Sequence, residues 1–258
     1  MSENKHRKQV AIQAAYAAGG VLQAYRTRAL TVNYKGTVDP VTDADKEAER
    51  AILDVLRRHF PDEAVLSEEG ETRPPLKNCW IVDPLDGTTN FSRGYPLYGP
   101  SIAWVDELGH VQVGVVYNPL LDELFWAVRG GGTWCNQTRL RVSATARLDR
   151  ALISSGTPYD VQTRVQAIAR PWVTLMDKVQ SLRQDGSAAL DLAHVAAGRT
   201  DAHFEAGLAP WDVAAGVLLV EEAGGRVTTY ENAPLTLDAP TLLASNGQLH
   251  DAVLQHLS

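Results

Sequence analysis

Cysteine is scarce in this chain. Only Cys79 and Cys135 occur, far apart and in no CxxC pair. That spacing excludes a disulfide framework and a cysteine-based zinc site, and leaves two buried thiols as the expectation. Long apolar runs are also missing. The N-terminus, MSENKHRKQV, is polar and basic, and AIQAAYAAGGVLQAY after it is interrupted by polar residues. Neither a signal peptide nor a membrane span fits, and a cytoplasmic protein is expected. Basic charge is not in excess. The formal net charge is −7, which argues against nucleic acid as the main partner, because phosphate backbones want a basic face. There is no Walker A loop, and Ser67 and Ser101 have no G-x-S-x-G context, so neither a P-loop nucleotide site nor a serine hydrolase is indicated. No internal repeat or low-complexity linker is present.

What remains is an ordinary globular composition, with 45% hydrophobic and 21% charged residues over 258 positions. That length supports one large domain or two small ones. Helical spacing predicts helices over residues 8–26, locally weakened by Gly19-Gly20, and over 42–60, stopped by Pro61. Residues 31–40 read as a loop or hairpin. Short strands are expected at 64–66 and 80–82, then at 101–105, 111–117 and 124–128, the last three separated by turn signals. Gly130-Gly131-Gly132 marks a loop or bulge. The pattern changes after about residue 143: strands at 151–154 and 202–204 alternate with helices at 160–178, 187–197 and 212–223, the last capped by Gly224-Gly225. The expected plan is an α+β half with an antiparallel sheet over residues 1–145 and an α/β half over 146–258, with a site between them.

The informative residues are acids at element ends. Asp45 sits in VTDADKEAER, Glu68 and Glu69 in LSEEG, Asp83 and Asp86 in WIVDPLDGTTNF, and Asp212 at the start of WDVAAGVLLVEEAGG. Taken singly, each has an ordinary explanation. Asp45 suits a first helical turn, Asp212 suits an N-cap, Asp83 with Pro84 suits a type I turn, and Glu68 and Glu69 suit a surface. Taken together, they are flanked by apolar segments and have too few neighbouring Lys and Arg to pair with. Buried carboxylates are costly unless paired. Hard oxygen-liganded cations, Mg²⁺ or Mn²⁺, are the economical partners, because these segments contain neither His nor Cys. Gly87-Thr88-Thr89 then offers close backbone approach and, if a helix begins near Thr88, N–H groups for an anion.

WIVDPLDGTTNF and WDVAAGVLLVEEAGG resemble the two signatures of the inositol monophosphatase family. VTDAD, LSEEG and DGSAALDLAHVAAGRTDAHFE fall in the family's order, so the resemblance spans nearly the whole chain. It implies a Mg²⁺-dependent, Li⁺-sensitive phosphatase of small phosphate monoesters, with the fold of a layered α-β-α-β-α sandwich, usually a homodimer. By position, Glu68, Asp83 and the Leu85 carbonyl would hold one metal. Asp83, Asp86 and Asp212 would hold a second, and Glu68 would share a third, weaker site. Thr88 and Asp45 match the pair that orients and activates water, and Glu68 is counted with them among the catalytic residues. The Gly87 and Thr88 N–H groups would hold phosphate, with Asp86 and Asp212 close to the substrate. Gly186, Ser187, Ala188 and Glu205 match the contacts to the alcohol part. Asp185 stands where relatives often carry an uncharged residue, and Ser187 replaces a frequent threonine. The chemistry fits these residue types: phosphate monoester hydrolysis is extremely slow uncatalysed, and metals about 3.5–4 Å apart can supply charge, water and leaving-group stabilisation. Inositol 1-phosphate or a similar polyol or sugar phosphate is the expected substrate. Fructose 1,6-bisphosphate, histidinol phosphate or a nucleotide 3′-phosphate are the alternatives, and a regulatory or RNA-machinery-binding protein on the same fold is the alternative of another class.

Overall fold

The computed structural model describes residues 3–26, 32–34, 40–158 and 161–257. Helix α1 runs over Glu3–Tyr25, and the short strands β1 (Val32–Tyr34) and β2 (Pro40–Thr42) pair antiparallel, with the rest of the 31–40 segment lying outside the described residues. Helix α2 covers Asp43–His59. Then follow β3 (Ala64–Ser67), β4 (Cys79–Asp86), the short helix α3 (Thr88–Arg93), β5 (Gly99–Val105), β6 (Val111–Asn118), β7 (Glu123–Val128), β8 (Thr133–Cys135) and β9 (Thr138–Arg139). The remainder comprises β10 (Leu152–Ser155), α4 (Val161–Met176), β11 (Ser181–Arg183), α5 (Ala188–Ala196), β12 (Ala202–Ala206), α6 (Pro210–Glu222), β13 (Arg226–Thr228), β14 (Thr241–Ser245) and α7 (His250–Leu254).

Two sheets result. One has seven strands in the order β3-β4-β5-β6-β7-β8-β9, antiparallel except for the β3–β4 pair. The other has five in the order β11-β10-β12-β14-β13. Helices α1 and α2 bury Val10, Ala14, Ile52 and Leu56 against one face of the larger sheet, with Trp80, Val82 and Val113. Helices α5 and α6 are almost wholly apolar because they lie between the sheets, packing Leu192, Val195, Leu218 and Leu219 with Ile81, Phe125 and Leu242. Leu175, Leu249 and Val253 close the outer face of the smaller sheet over Ile153, Phe204 and Leu243. The chain is therefore a layered α-β-α-β-α sandwich.

Several boundaries differ from the sequence-based expectation. Helix α1 begins at Glu3 because Arg7, read as part of a polar tail, is buried: it pairs with Glu3 and with Glu63 at 2.6 Å, and its guanidinium lies over Trp104. Helix α1 runs unbroken through Gly19. A Cβ there would meet Cε1 of Tyr117 at 2.5 Å, so its bareness lets the helix lie on β6. Strand β4 does not stop at residue 82 but continues through Pro84 to Asp86. Cys79 is buried, as expected, but Cys135 is half-buried. Asp160, at the start of the expected 160–178 helix, lies outside the described residues.

Helix α6 sits very close to the larger sheet. A Cβ on Gly114 of β6 would lie 2.8 Å from the carbonyl oxygen of Ala215. Backbone cannot swing aside as a side chain does, so Gly114→Ala is expected to lift α6 and lower stability by about 1–3 kcal/mol. A urea midpoint equal to wild type would contradict this packing.

His250 supplies a pH dependence. It is fully buried, with Ser245 Oγ 2.8 Å from Nδ1 and Thr228 Oγ1 2.9 Å from Nε2. The Thr228 hydroxyl donates to the Thr229 carbonyl, so it accepts from Nε2–H, and Ser245 donates to Nδ1. The ring is thus held neutral, and burial, with Arg226 nearby, pushes its pKa down to about 4 from the ordinary 6.5. A depressed histidine adds stability that is present above the unfolded pKa and is lost as pH falls toward the folded one. Between pH 7 and 5 this group is expected to account for about 2 kcal/mol of lost stability. Denaturant titrations of wild type and His250→Gln at both pH values check it: an equal pH-dependent drop in the two proteins would refute it.

Candidate active site

Strand β4 is buried from Cys79 to Leu85, with Asp86 half-buried at its end, and it is irregular near its C-terminus. Asp83 faces Ser101 and Asp86 faces Gly99, so three steps on β4 match two on β5. The extra residue is a bulge, and it falls where Pro84 has no N–H to pair. In a regular strand, side chains three apart point to opposite faces. The bulge re-phases them, and carboxylate oxygens of Asp83, Asp86 and Asp212 come within 4.8 Å of one another. Pro84 therefore acts by shifting register inside a strand, not by making the turn expected from the sequence.

Each acid is fixed by local backbone. Asp83 Oδ1 accepts from Leu85 N–H at 2.9 Å. Asp86 Oδ2 accepts from the Ser187 hydroxyl at 2.5 Å and from Ala189 N–H at 2.8 Å, tying β4 to the start of α5. Asp212 lies in the first turn of α6, where its Oδ2 accepts from Ala209 N–H at 2.7 Å. Asp45 closes a capping box with Thr42, whose N–H and hydroxyl both reach Oδ2. Its other oxygen, Oδ1, lies 3.0 Å from the Thr88 hydroxyl, which is also 3.0 Å from the Leu85 carbonyl. Glu68 follows β3 and donates its N–H to the Val82 carbonyl.

Gly87 precedes α3 with φ of +86°, and a Cβ there would stand 2.8 Å from the Leu97 carbonyl. Conformation and space both demand glycine. Asn90, whose importance the sequence gave no means to see, donates from Nδ2 at 2.7 Å to both the Leu97 and Asp185 carbonyls, joining α3 to the loop before α5. Together these elements enclose a cavity of about 600 Å³. Glu68, Asp83, Leu85, Asp86, Gly87, Thr88, Gly186, Ser187, Ala188, Glu205 and Asp212 all line it, and Asp45 touches it through Thr88. Asp185 lines it as well, with a carboxylate oxygen within 4.8 Å of Asp191 and His194. Asp191 and Asn90, which line the cavity, and His203, which is buried behind it, were not singled out in the sequence, because only the fold brings them together.

The electrostatics are those of an anion cluster. Asp83 is raised well above the carboxylate range by burial, then by Glu68, Asp86 and Asp212. Asp212 is raised well above it by burial, then by Asp86 and other acids. Asp86 is pushed up to about 6, chiefly by burial, against the opposing hydrogen bonds from Ser187 and Ala189. Burial also raises Asp45. Among the described residues no Lys or Arg pairs with Asp83, Asp86 or Asp212. All-oxygen donors, buried or half-buried, convergent and uncompensated among the described residues, fit hard divalent cations.

Comparison with known proteins agrees with this chemistry. The model of the inositol monophosphatase family matches residues 3–258. An inositol-1-monophosphatase from Synechocystis sp. is 40% identical over 253 residues, 97% of this chain and 88% of the relative. The Nus factor SuhB of Escherichia coli K12 is 40% identical over 252 residues, 96% and 94% of the two chains. The crystal structure of the extragenic suppressor protein suhB from Bartonella henselae superposes with a TM-score of 0.90 at 40% identity, covering 97% of each chain. Among the described residues no helix is long and apolar enough to cross a membrane. The match over nearly the full chain, on a layered fold with a buried carboxylate cluster, shows that this chain belongs to the inositol monophosphatase family.

Proposed function

We propose that the protein hydrolyses small phosphate monoesters with Mg²⁺, and that a phosphorylated polyol, inositol 1-phosphate first among them, is its substrate. The observation that carries this reading is the set of three carboxylates, buried Asp83 and half-buried Asp86 and Asp212, which no Lys or Arg pairs among the described residues and which converge on a 600 Å³ cavity. Glu68, Asp83, Asp86, Asp212 and the Leu85 carbonyl would hold two or three Mg²⁺, with Mn²⁺ as a substitute. Bound there, such cations supply charge to the phosphoryl oxygens and the leaving alkoxide and make water acidic. The chain's own groups do the positioning. The Thr88 hydroxyl, its proton directed to Asp45 Oδ1, turns a lone pair toward the attacking water and receives that water's proton as Asp45 takes its own. Gly87 and Thr88 N–H groups hold phosphate oxygens, and Gly186, Ser187, Ala188 and Glu205 meet the alcohol part. A cytoplasmic homodimer is the setting this reading implies. Phosphate release measured over inositol 1-phosphate, fructose 1,6-bisphosphate, histidinol phosphate and a nucleotide 3′-phosphate, with Mg²⁺, with EDTA and with added Li⁺, tests it. Highest kcat/KM on inositol 1-phosphate, abolished by EDTA and depressed by Li⁺, is expected; release indifferent to EDTA would sink the proposal.

A second role is supported by the relatives named Nus factor SuhB. A regulatory or RNA-machinery-binding function can coexist with catalysis on one fold. Capture from lysate by an Asp83→Asn protein, followed by washing, tests it: no retained partner removes the support.

A further inference from the structure

Behind the alcohol side of the cavity lies a buried group that the proposed chemistry does not use. His203 is 0% exposed on β12. Glu205, two residues on, projects from the same face of the strand. His203 Nε2 stands 3.3 Å from Glu205 Oε2, and Nδ1 stands 3.8 Å from Asp191 Oδ2 on α5. Ser154, directly across the β10–β12 pair, places Oγ 3.0 Å from the same Nδ1. Burial opposes a charged ring here, but Asp191 and Glu205 outweigh it and raise the His203 pKa. The opposite wall is equally specific. A Cβ on Gly156 would lie 2.1 Å from Glu205 Oε1, 2.2 Å from Oε2 and 2.3 Å from Cδ. The Glu205 carboxylate therefore fills the space a side chain at 156 would take, and it lines the cavity.

We propose that His203 is a positioning residue for substrate selection: together with the bare backbone of Gly156 it clamps the Glu205 carboxylate in the cavity wall as an acceptor for hydroxyl groups of a polyol phosphate. The inference rests on the phosphatase reading above and adds to it a device that separates polyhydroxylated monoesters from esters lacking hydroxyls. A carboxylate held between the buried His203 ring and the bare backbone of Gly156 is confined on both sides. It meets an incoming hydroxyl already oriented, so the ordering cost of that hydrogen bond is not taken from binding. An ester with no hydroxyl near this wall gains nothing from it.

The test compares inositol 1-phosphate with p-nitrophenyl phosphate, both with Mg²⁺, for wild type, His203→Phe, Gly156→Ala and the double variant. Gly156 does not hold a positive φ, so alanine fits the backbone and acts only by displacing Glu205. Losing one charge-assisted hydrogen bond is expected to raise KM for inositol 1-phosphate by about tenfold or more in either single variant. kcat should change little, and kcat/KM for p-nitrophenyl phosphate should stay within about twofold. The double variant should be little worse than either single one, because both release the same carboxylate. Gly156→Ala keeps the test decisive if His203→Phe does not fold. An unchanged KM for inositol 1-phosphate in Gly156→Ala, or equal losses on both esters, overturns the role assigned to His203. If wild type hydrolyses neither ester, the phosphatase reading itself falls, and this inference with it.

Discussion

Asp83→Asn is expected to abolish Mg²⁺-dependent phosphate release while making the metal-free protein more stable. Both effects come from the same burial. Asp83 is 2% exposed and faces Glu68, Asp86 and Asp212, and among the described residues no Lys or Arg pairs with it. Its folded pKa lies above its unfolded one, so the folded state binds the extra proton and stability falls as pH rises through that interval. At pH 7 without metal, the charge is a net cost. Asparagine keeps the oxygen that accepts from Leu85 N–H and removes the charge. A gain of about 1–2 kcal/mol, or about 2–8 °C in Tm for a chain of this size, is expected in EDTA. In Mg²⁺ the order should reverse, because a cation held by these acids would stabilise only the folded state, and the variant would lack one of the acids that would hold it. Activity should fall by at least about a thousandfold if Asp83 serves two cations at once. Thermal unfolding with EDTA and with Mg²⁺, beside phosphate release, reads all three quantities. An EDTA Tm at or below wild type, or retained activity, would contradict the assignment.

The same residue shows why sequence reasoning went as far as it did. The ordinary readings of Asp45 and Asp212 as helix-end acids stood against a shared site as alternatives. In the structure the two do not exclude each other, because a carboxylate has two oxygens. Asp45 caps α2 with Oδ2 and meets Thr88 with Oδ1. Asp212 holds Ala209 N–H with Oδ2 and still converges with Asp83 and Asp86. Local capping is what aims these acids, so the signals that looked bland were part of the evidence for the site. The layered order of helices and strands was legible for a related reason: α2 and α6 carry their burial in the spacing and density of their apolar residues. What stayed hidden depended on distant partners. β11, β13 and β14 are three to five residues long and exist through pairing with strands far along the chain. The start of α1 depended on Arg7 meeting Glu63 and Trp104. The bulge at Pro84 depended on the register of β5. His203 alternates with Glu205 in a five-residue strand, and nothing in that local pattern tells that Asp191 will flank it from α5.

Thr88→Ala is expected to lower kcat by about a hundredfold to a thousandfold with little change in KM, a loss of the size that acid–base groups supply. The Thr88 hydroxyl has one proton and two acceptors in reach, Asp45 Oδ1 and the Leu85 carbonyl, each at 3.0 Å. Asp45 Oδ2 is already taken by the Thr42 N–H and hydroxyl, so Oδ1 is the oxygen left to receive that proton. Thr88→Ser keeps Oγ and should retain most of the wild-type rate. Asp45→Asn makes a sharper demand. Its oxygen must stay on the two Thr42 donors, which turns its NH₂ toward Thr88. Thr88 must then accept from Asn and give its own proton to Leu85, so no carboxylate is left to take the hydroxyl proton as the proton of water arrives. Asp45→Asn should therefore fall nearly as far as Thr88→Ala while keeping the α2 cap and a Tm close to wild type. Steady-state kinetics on the preferred monoester, beside thermal unfolding, separate the cases. A Thr88→Ala enzyme with wild-type kcat, or an Asp45→Asn enzyme as fast as Thr88→Ser, would remove the Thr88–Asp45 pair from the mechanism and leave catalysis to the acidic cluster alone.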